Sequence, residues 1–507
     1  MEQKGTPPAP EGDTGAAGKR WLWGRPPLSG LLAIAVAAMA LTTLALQATV
    51  GGFRVDGPAP PEPPPPTGGW TPPEGTVRIM ASGDSRVQGS TGDHTWRYRL
   101  WAHLTGEGGA DVDFVGPRDD LFDPVADRYG DHRYAVADFD TDHAGAWGST
   151  AREVAERIGR EVVDADPHYL LLLVGVNDVV RGADSAEVLE RTRDIVAAAR
   201  LARGDIRVVL GEIPPVWGTE DDQTVNAAIG EYNAALPALA DRLTRADSPV
   251  VVARTAADYA PADDNWDEVH PNARGEVKIA AAFADALADP LGLGRPYPRP
   301  LPDVEVGPTA APGGLRVERT ADGARVSWDG VPGATRYEVF GRRVDPDPEE
   351  RASRGDVAAA ADGGTAHEVA GLFAGAVYEF EVRAFKGQDP GPLSAPVRVE
   401  LADDPPPAPE AVRAGDGALS WEAAPGATHY AVWRRPLECP TLDPGDCAPA
   451  DAGPVGADTG WQTVAVVRDA TRLEIGPEQA NHEFAVRSHR DYLEGGFSER
   501  VVYRAAD

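Results

Sequence analysis

The sequence predicts an α/β domain built on a parallel sheet, followed by two smaller all-β sandwiches. Three observations carry this. From Val77 to about Leu293, continuous apolar runs alternate with runs of helical period. Beyond residue 312 the helical period gives way to short alternating runs. There, Trp328-Asp-Gly-Val-Pro-Gly-Ala-Thr-Arg-Tyr337 returns as Trp421-Glu-Ala-Ala-Pro-Gly-Ala-Thr-His-Tyr430, 93 residues later. Continuous apolar strands separated by helices indicate a parallel sheet covered on both faces. A repeat of that length, with a Trp early in each copy, indicates tandem sandwiches.

At 507 residues the chain is long enough for two to four domains. Its formal net charge of -32 argues against nucleic acid, whose phosphates need a basic face, and against an anionic membrane surface. Residues 1–27 are polar and Pro/Gly-rich and end in Lys19, Arg20 and Arg25, which reads as a cytoplasmic tail. Leu28 to Val50 then gives 23 residues without a charge, enough to span a bilayer. With the positive charge before it, the segment is expected to anchor the chain with its N-terminus inside. The competing reading is a cleaved signal segment ending at Ala48. The expected localisation is therefore the cell membrane, single-pass with extracellular C-terminal domains, or secretion. Residues 51–75 form a Pro-rich linker, including Pro63 to Pro66, of semi-rigid polyproline II type.

The α/β domain is expected over 76–294. Its strands read as Val77–Ala81, Val112–Val115, Tyr169–Val174, Ile206–Leu210 and Val250–Ala253, a five-stranded parallel sheet. Helical patterns lie at Trp96–Leu104, Thr150–Asp164, Ser185–Arg203, Thr224–Ala246 and Ala273–Ala288. In such sheets ligands bind at the carboxyl ends of the strands. The residues with chemical potential gather there. Gly83-Asp84-Ser85 follows the first strand and Gly116 ends the second. Gly175-Val176-Asn177-Asp178 ends the third, and Asp267-Glu268-Val269-His270-Pro271 follows the fifth.

Each has a bland reading as turn, cap or surface pair, but four loops converging on one rim favour chemistry. A serine hydroxyl is a poor nucleophile until a base takes its proton. His270 is a candidate base, oriented by Asp267 three residues earlier. The oxyanion of a tetrahedral intermediate could be held by the N–H groups of Ser85 and Gly116 and the Asn177 amide. His143, within Asp138-Phe-Asp-Thr-Asp-His143-Ala-Gly-Ala-Trp147, is a rival base. Nothing close by in sequence orients it, so it reads as structural or substrate-contacting. Asp84 and Asp178 read as residues that tie loops together.

These blocks, with Val-Asp-Phe-Val-Gly ending at Gly116, occur in the order of the SGNH, or GDSL, hydrolase family, and residues 77–290 resemble it. The resemblance implies a flavodoxin-like three-layer fold and esterase, lipase or carbohydrate-deacetylase activity, with no metal and no cofactor. By position, Ser85 matches the family nucleophile, Gly116 and Asn177 the oxyanion donors, and Asp267 with His270 the remaining pair. Arg86 departs from the family pattern, where a leucine stands, and leaves local packing or substrate contact open.

Residues 295–311 form a Pro-rich linker. The copies over 312–402 and 403–507 resemble fibronectin type III domains. Tyr378 suits the tyrosine corner of such sandwiches, while His482 takes its place in the second copy. The second copy holds 11 more residues between Tyr430 and His482 than the first holds between Tyr337 and Tyr378. The two cysteines of the chain, Cys439 and Cys447, lie in that stretch and are expected to form a disulfide. No His pair or second Cys pair accompanies them, so a zinc site is not expected.

The function expected is an exported serine esterase acting on an ester of a lipid or a carbohydrate. Two alternatives stay open: an acyltransferase using the same acyl-enzyme, and a surface adhesion protein with an inactive hydrolase domain. The sandwiches are expected to serve as spacers or to contact cell wall or polysaccharide.

Overall fold

The computed structural model of the chain describes residues 69–507, except 220, 322, 362, 442–445, 451, 452 and 505–507. The α/β part contains strands β1 (Val77–Gly83), β2 (Val112–Phe114), β3 (Leu121–Asp123), β4 (Arg128–Asp131), β5 (Ala144–Gly145), β6 (Tyr169–Leu173), β7 (Arg207–Gly211) and β8 (Val250–Ala253). The main sheet runs β2-β1-β6-β7-β8 with every pair parallel, and β5 adds a short parallel pairing to the end of β1.

Alternate residues of a strand point to opposite faces, and here both faces are dry. Leu170, Leu172, Val208 and Leu210 pack under helices Ala151–Ala165, Ser185–Ala202 and Asp222–Leu243. Leu171, Leu173 and Val209 pack on the other side, under helices Thr95–Thr105 and Ala273–Ala288. That double burial is why the strands read as unbroken apolar runs. Strand order reverses about β1. The crevice of such a sheet therefore opens beyond the carboxyl ends of β1 and β6.

The main strands and the five long helices lie where the sequence places them, within a few residues at their ends. The helix at Ala151 starts as its sequence dictates. Thr150 and Glu153 form a reciprocal capping box, and the buried Asp178 carboxylate accepts from the Ala151 N–H at 2.8 Å. The hairpin β3–β4 and the two-residue β5 were not expected. They are too short and too charged to show a strand period.

Among the described residues no helix is long and apolar enough to cross a membrane. This corrects the expected placement of the chain in a membrane with external domains. A spanning helix needs about 20 apolar residues. The longest helix here, Asp222–Leu243, buries Ile229, Tyr232 and Leu236 against the sheet and exposes Glu231, Asp241 and Arg242. The segment 28–50, the tail before it and most of the linker 51–75 lie outside the described residues.

The first sandwich pairs β9 (Arg316–Thr320), β10 (Gly323–Ser327) and β13 (Ala366–Ala370) in one sheet. The other holds β11 (Arg336–Asp345), β12 (Ala352–Ala358), β14 (Val377–Lys386), β15 (Asp389–Leu393) and β16 (Val397–Glu400). The second repeats this arrangement. Strands β17 (Arg413–Gly415), β18 (Ala418–Ser420) and β21 (Arg472–Glu474) face β19 (His429–Pro436), β20 (Gln462–Arg468), β22 (His482–Arg490), β23 (Leu493–Phe497) and β24 (Val501–Tyr503).

These are sandwiches of fibronectin type III kind, and the sequence repeat has a structural counterpart. The Tyr337 hydroxyl accepts from Val331 N–H and the Tyr430 hydroxyl from Ala424 N–H, both at 2.8 Å. Tyr378 makes the expected corner by accepting from Phe373 N–H at 3.1 Å. His482 makes a different one: its Nδ1 lies 2.9 Å from the Ala480 carbonyl, which can only accept. Cys439 and Cys447 are disulfide-bonded.

Candidate active site

Ser85 opens a four-residue helix directly after β1, with Asp84 capping it by accepting from Arg86 N–H at 3.0 Å. Its hydroxyl oxygen lies 3.0 Å from Nε2 of His270, and Nδ1 of His270 lies 2.7 Å from Oδ2 of Asp267. A carboxylate can only accept, so Nδ1 carries the proton and Nε2 is left to accept from the serine. The other oxygen of Asp267 accepts from the N–H groups of Val269 and His270, at 2.9 and 2.6 Å. Burial works against a charged carboxylate here. The imidazole and these donors outweigh it and hold Asp267 below the usual carboxylate range.

The three donors expected for an oxyanion all keep a free hydrogen. Among the described residues the N–H groups of Ser85 and Gly116 have no protein acceptor. Asn177, one residue into the short helix after β6, gives one amide hydrogen to the Ser149 carbonyl at 3.0 Å and keeps its second. Gly116 is required by close approach. A Cβ there would lie 2.3 Å from the backbone of His143. The structure thus joins Ser85, His270 and Asp267 in one hydrogen-bonded line, while Gly116 and Asn177 follow β2 and β6, the strands that flank β1.

Residues 81–277 match the model of the GDSL-like lipase/acylhydrolase family. The α/β domain belongs to that family. A multidomain esterase of Ruminococcus flavefaciens is 26% identical over 223 residues, which are 42% of this chain and 28% of that protein. The match therefore spans less than a third of the relative's length. A carbohydrate esterase family 3 structure from Talaromyces cellulolyticus aligns at 30% identity, covering 41% of this chain and 94% of that one, with a TM-score of 0.34. A two-domain fibronectin type III segment from chicken tenascin aligns at 15% identity over 38% of this chain and 99% of that one, with a TM-score of 0.22.

Within this GDSL domain the rival base is tied up. His143 is fully buried, its Nε2 lies 2.9 Å from the Asp120 carbonyl, and its Nδ1 accepts from Gly145 N–H at 3.0 Å. Burial, with the nearby Arg97 charge, pushes its pKa well below the usual imidazole value, so it stays neutral. It fixes the stretch that packs against Gly116. Asp178 is spent on the cap described above and on Arg191. Asp84 is pushed up to about 6 by burial, partly offset by Arg86, and its second oxygen has no partner among the described residues.

Sequence reasoning left Arg86 without a definite role and missed Trp147, Trp266 and Glu276. Arg86, where the family has leucine, is buried. It donates to the Val269 carbonyl at 3.0 Å and the Pro214 carbonyl at 2.8 Å, tying the serine turn to the histidine loop. Trp147 and Trp266 stack on the His270 ring, with centroids at 4.2 and 5.4 Å and planes within 20°. The only sequence hint was that Trp147 ends one of the quoted blocks and Trp266 directly precedes another. Glu276 lines the pocket and accepts from Thr95 N–H and Arg99 at 2.8 and 3.1 Å. Thr95 is β-branched yet has φ of +70°, a strained state that the Glu276 hydrogen bond helps to hold. Burial pushes Glu276 up to about 7 despite Arg99.

Proposed function

We propose that the chain is a serine esterase that cleaves small carboxylic esters through an acyl-enzyme on Ser85. As Oγ attacks the ester carbonyl, its proton passes to Nε2 of His270, and Asp267 steadies the imidazolium through Nδ1. The oxyanion takes hydrogen bonds from Ser85 N–H, Gly116 N–H and the second amide hydrogen of Asn177. Collapse expels the alcohol, which leaves with the proton from His270. A water then gives a proton to His270, attacks the acyl carbon, and the acid departs as Oγ recovers its proton. The single observation that supports this most is the pair of contacts at His270, 3.0 Å to the serine and 2.7 Å to the aspartate.

The cavity beside Ser85 is narrow, only about 10 Å³, with Ser90, Asp93, Thr95 and Glu276 among its walls. That favours a short acyl group such as acetyl, because a long chain needs an apolar channel. In this proposal the esterase occupies 76–294, the linker 295–311, and the sandwiches 312–402 and 403–507. The test is a fluorophosphonate probe, expected to label Ser85 alone, beside a screen of esters of graded chain length and acetylated polysaccharides. Hydrolysis that persists in Ser85→Ala would overturn the assignment.

A further inference from the structure

The loop bearing Asp267 and His270 does not rest on its own domain alone. The tip of the β14–β15 hairpin in the first sandwich, Lys386-Gly387-Gln388-Asp389, is pressed into it. Gln388 N–H donates to the Trp266 carbonyl at 3.0 Å, and its side-chain amide donates to the carbonyls of Ala262 and Asn265 at 2.7 and 3.1 Å. The Asp389 carboxylate accepts from Asn272 at 2.9 Å, just past His270.

Gly387 marks how tight the contact is. A Cβ there would lie 1.7 Å from the Trp266 carbonyl oxygen. Its φ of +54° would by itself admit an Asn or Asp. Contact with Trp266, and not backbone conformation, is what restricts the position to glycine.

The same tip holds the other wall of the pocket. Lys386, with only 6% of its side chain exposed, donates to the Thr91 carbonyl at 2.9 Å and pairs with Asp93. Asp93 in turn accepts from Ser90 N–H and Oγ, at 2.7 and 2.9 Å. A lysine is rarely buried unless it is paired. Here the pair fixes a turn lining the pocket, and the ammonium also lies 5.2 Å from the centroid of the Trp266 ring. Trp266 is one of the two rings stacked on His270.

We propose that the first sandwich is part of the catalytic unit: its hairpin tip, through Lys386, Gly387 and Gln388, positions Trp266 and the histidine loop against the serine turn. This rests on the esterase reading above. The hairpin residues act through Trp266 and are positioning residues.

The experiment uses the full chain with Gly387→Val, Lys386→Met and Gln388→Ala, read by steady-state kinetics on a small ester, by thermal melting, and by amide exchange over 262–272. Gly387→Val wedges the hairpin off the loop. It is expected to lower kcat by about 10²-fold with KM unchanged, the cost of misplacing a base by about 1 Å. Lys386→Met is expected to follow it. Gln388→Ala, at an exposed position that leaves folding intact, is expected to speed exchange at Trp266 to His270 and to lower kcat by less. Exchange is read whether or not the chain turns over esters, which keeps the two readings apart. Unchanged exchange and unchanged kcat in Gly387→Val and Gln388→Ala overturn the positioning role. Failure of the unsubstituted chain to label at Ser85 overturns the esterase reading instead.

Discussion

The two sandwiches carry the same hairpin and use it on different neighbours. In the first, β14 and β15 turn at Lys386-Gly387-Gln388-Asp389; in the second, β22 and β23 turn at Arg490-Asp491-Tyr492-Leu493. The match extends into detail. The first loop residue has φ of +54° in one and +50° in the other. Behind each turn a serine hydroxyl accepts from a strand N–H, Ser394 from Val382 at 2.9 Å and Ser498 from Val486 at 3.0 Å.

Each tip docks on the domain before it. The second lies on the first sandwich, where Tyr492 N–H donates to the Ala374 carbonyl at 3.1 Å and Asp491 accepts from Ala374 N–H at 2.9 Å. Docking by this hairpin is therefore a property of the repeat. Its consequence depends on what lies beneath. The second tip bears aspartate where the first bears glycine, because no carbonyl of the Trp266 kind crowds it. It rests on a surface turn, whereas the first rests on the loop that orients His270.

Substitutions at the catalytic chemistry set the scale for this difference. Asn177→Ala is expected to lower kcat by about 10²–10³-fold with KM little changed, because the amide matters mainly in the transition state. Single-turnover and steady-state kinetics on a small ester check this. A wild-type kcat would mean that the third donor lies elsewhere.

Beneath the first tip lies an electrostatic arrangement that the second lacks. Asp93, which pairs with Lys386, also helps raise Glu276 to about 7, after burial as the main cause. A carboxyl raised this way binds its proton more tightly in the folded chain. The stability it contributes is complete below about pH 4.5 and is lost as pH rises toward 7. Replacement by glutamine removes that titration. Melting curves should therefore show the unsubstituted chain losing ground to Glu276→Gln across this window, by on the order of 2 kcal/mol. Parallel stability profiles for the two would break the argument.

Much of the α/β part was legible because its chemistry and burial demand particular residues. A strand dry on both faces, such as Tyr169–Leu173, must be apolar throughout, and the acyl transfer proposed for this site needs a serine, a base and an orienting acid. The hairpin β3–β4 was illegible because three- and four-residue strands show no period. Arg86 was legible as a departure but not in its destination, two carbonyls 128 and 183 residues away. The clamp on the histidine loop was illegible for the same reason. Lys386 meets Thr91 across 295 residues, and no local pattern marks a lysine that will be buried.

The disulfide tests whether the second sandwich stands apart from the chemistry. It closes a short loop, Cys439 to Cys447, so the chain-entropy account gives about 2–3 kcal/mol, acting within that sandwich. Reduction should lower the melting of the second sandwich and leave kcat unchanged. Loss of activity on reduction would mean that the second domain also reaches the active site.

The smallest effect is expected where the two hairpins are compared directly. Asp491 makes one hydrogen bond to Ala374 N–H and keeps a left-handed backbone that aspartate tolerates better than alanine. Asp491→Ala should therefore cost about 1 kcal/mol or slightly more, through the lost bond and the added strain. That cost belongs to the contact between sandwiches. Because no residue of this contact touches the pocket, kcat and KM should match the unsubstituted chain. Gly387→Val, at the equivalent position of the first hairpin, should cost most of the turnover. If Asp491→Ala lowered kcat as Gly387→Val does, the effect of the first hairpin would be general loosening of the chain, and position over Trp266 would have nothing to do with it.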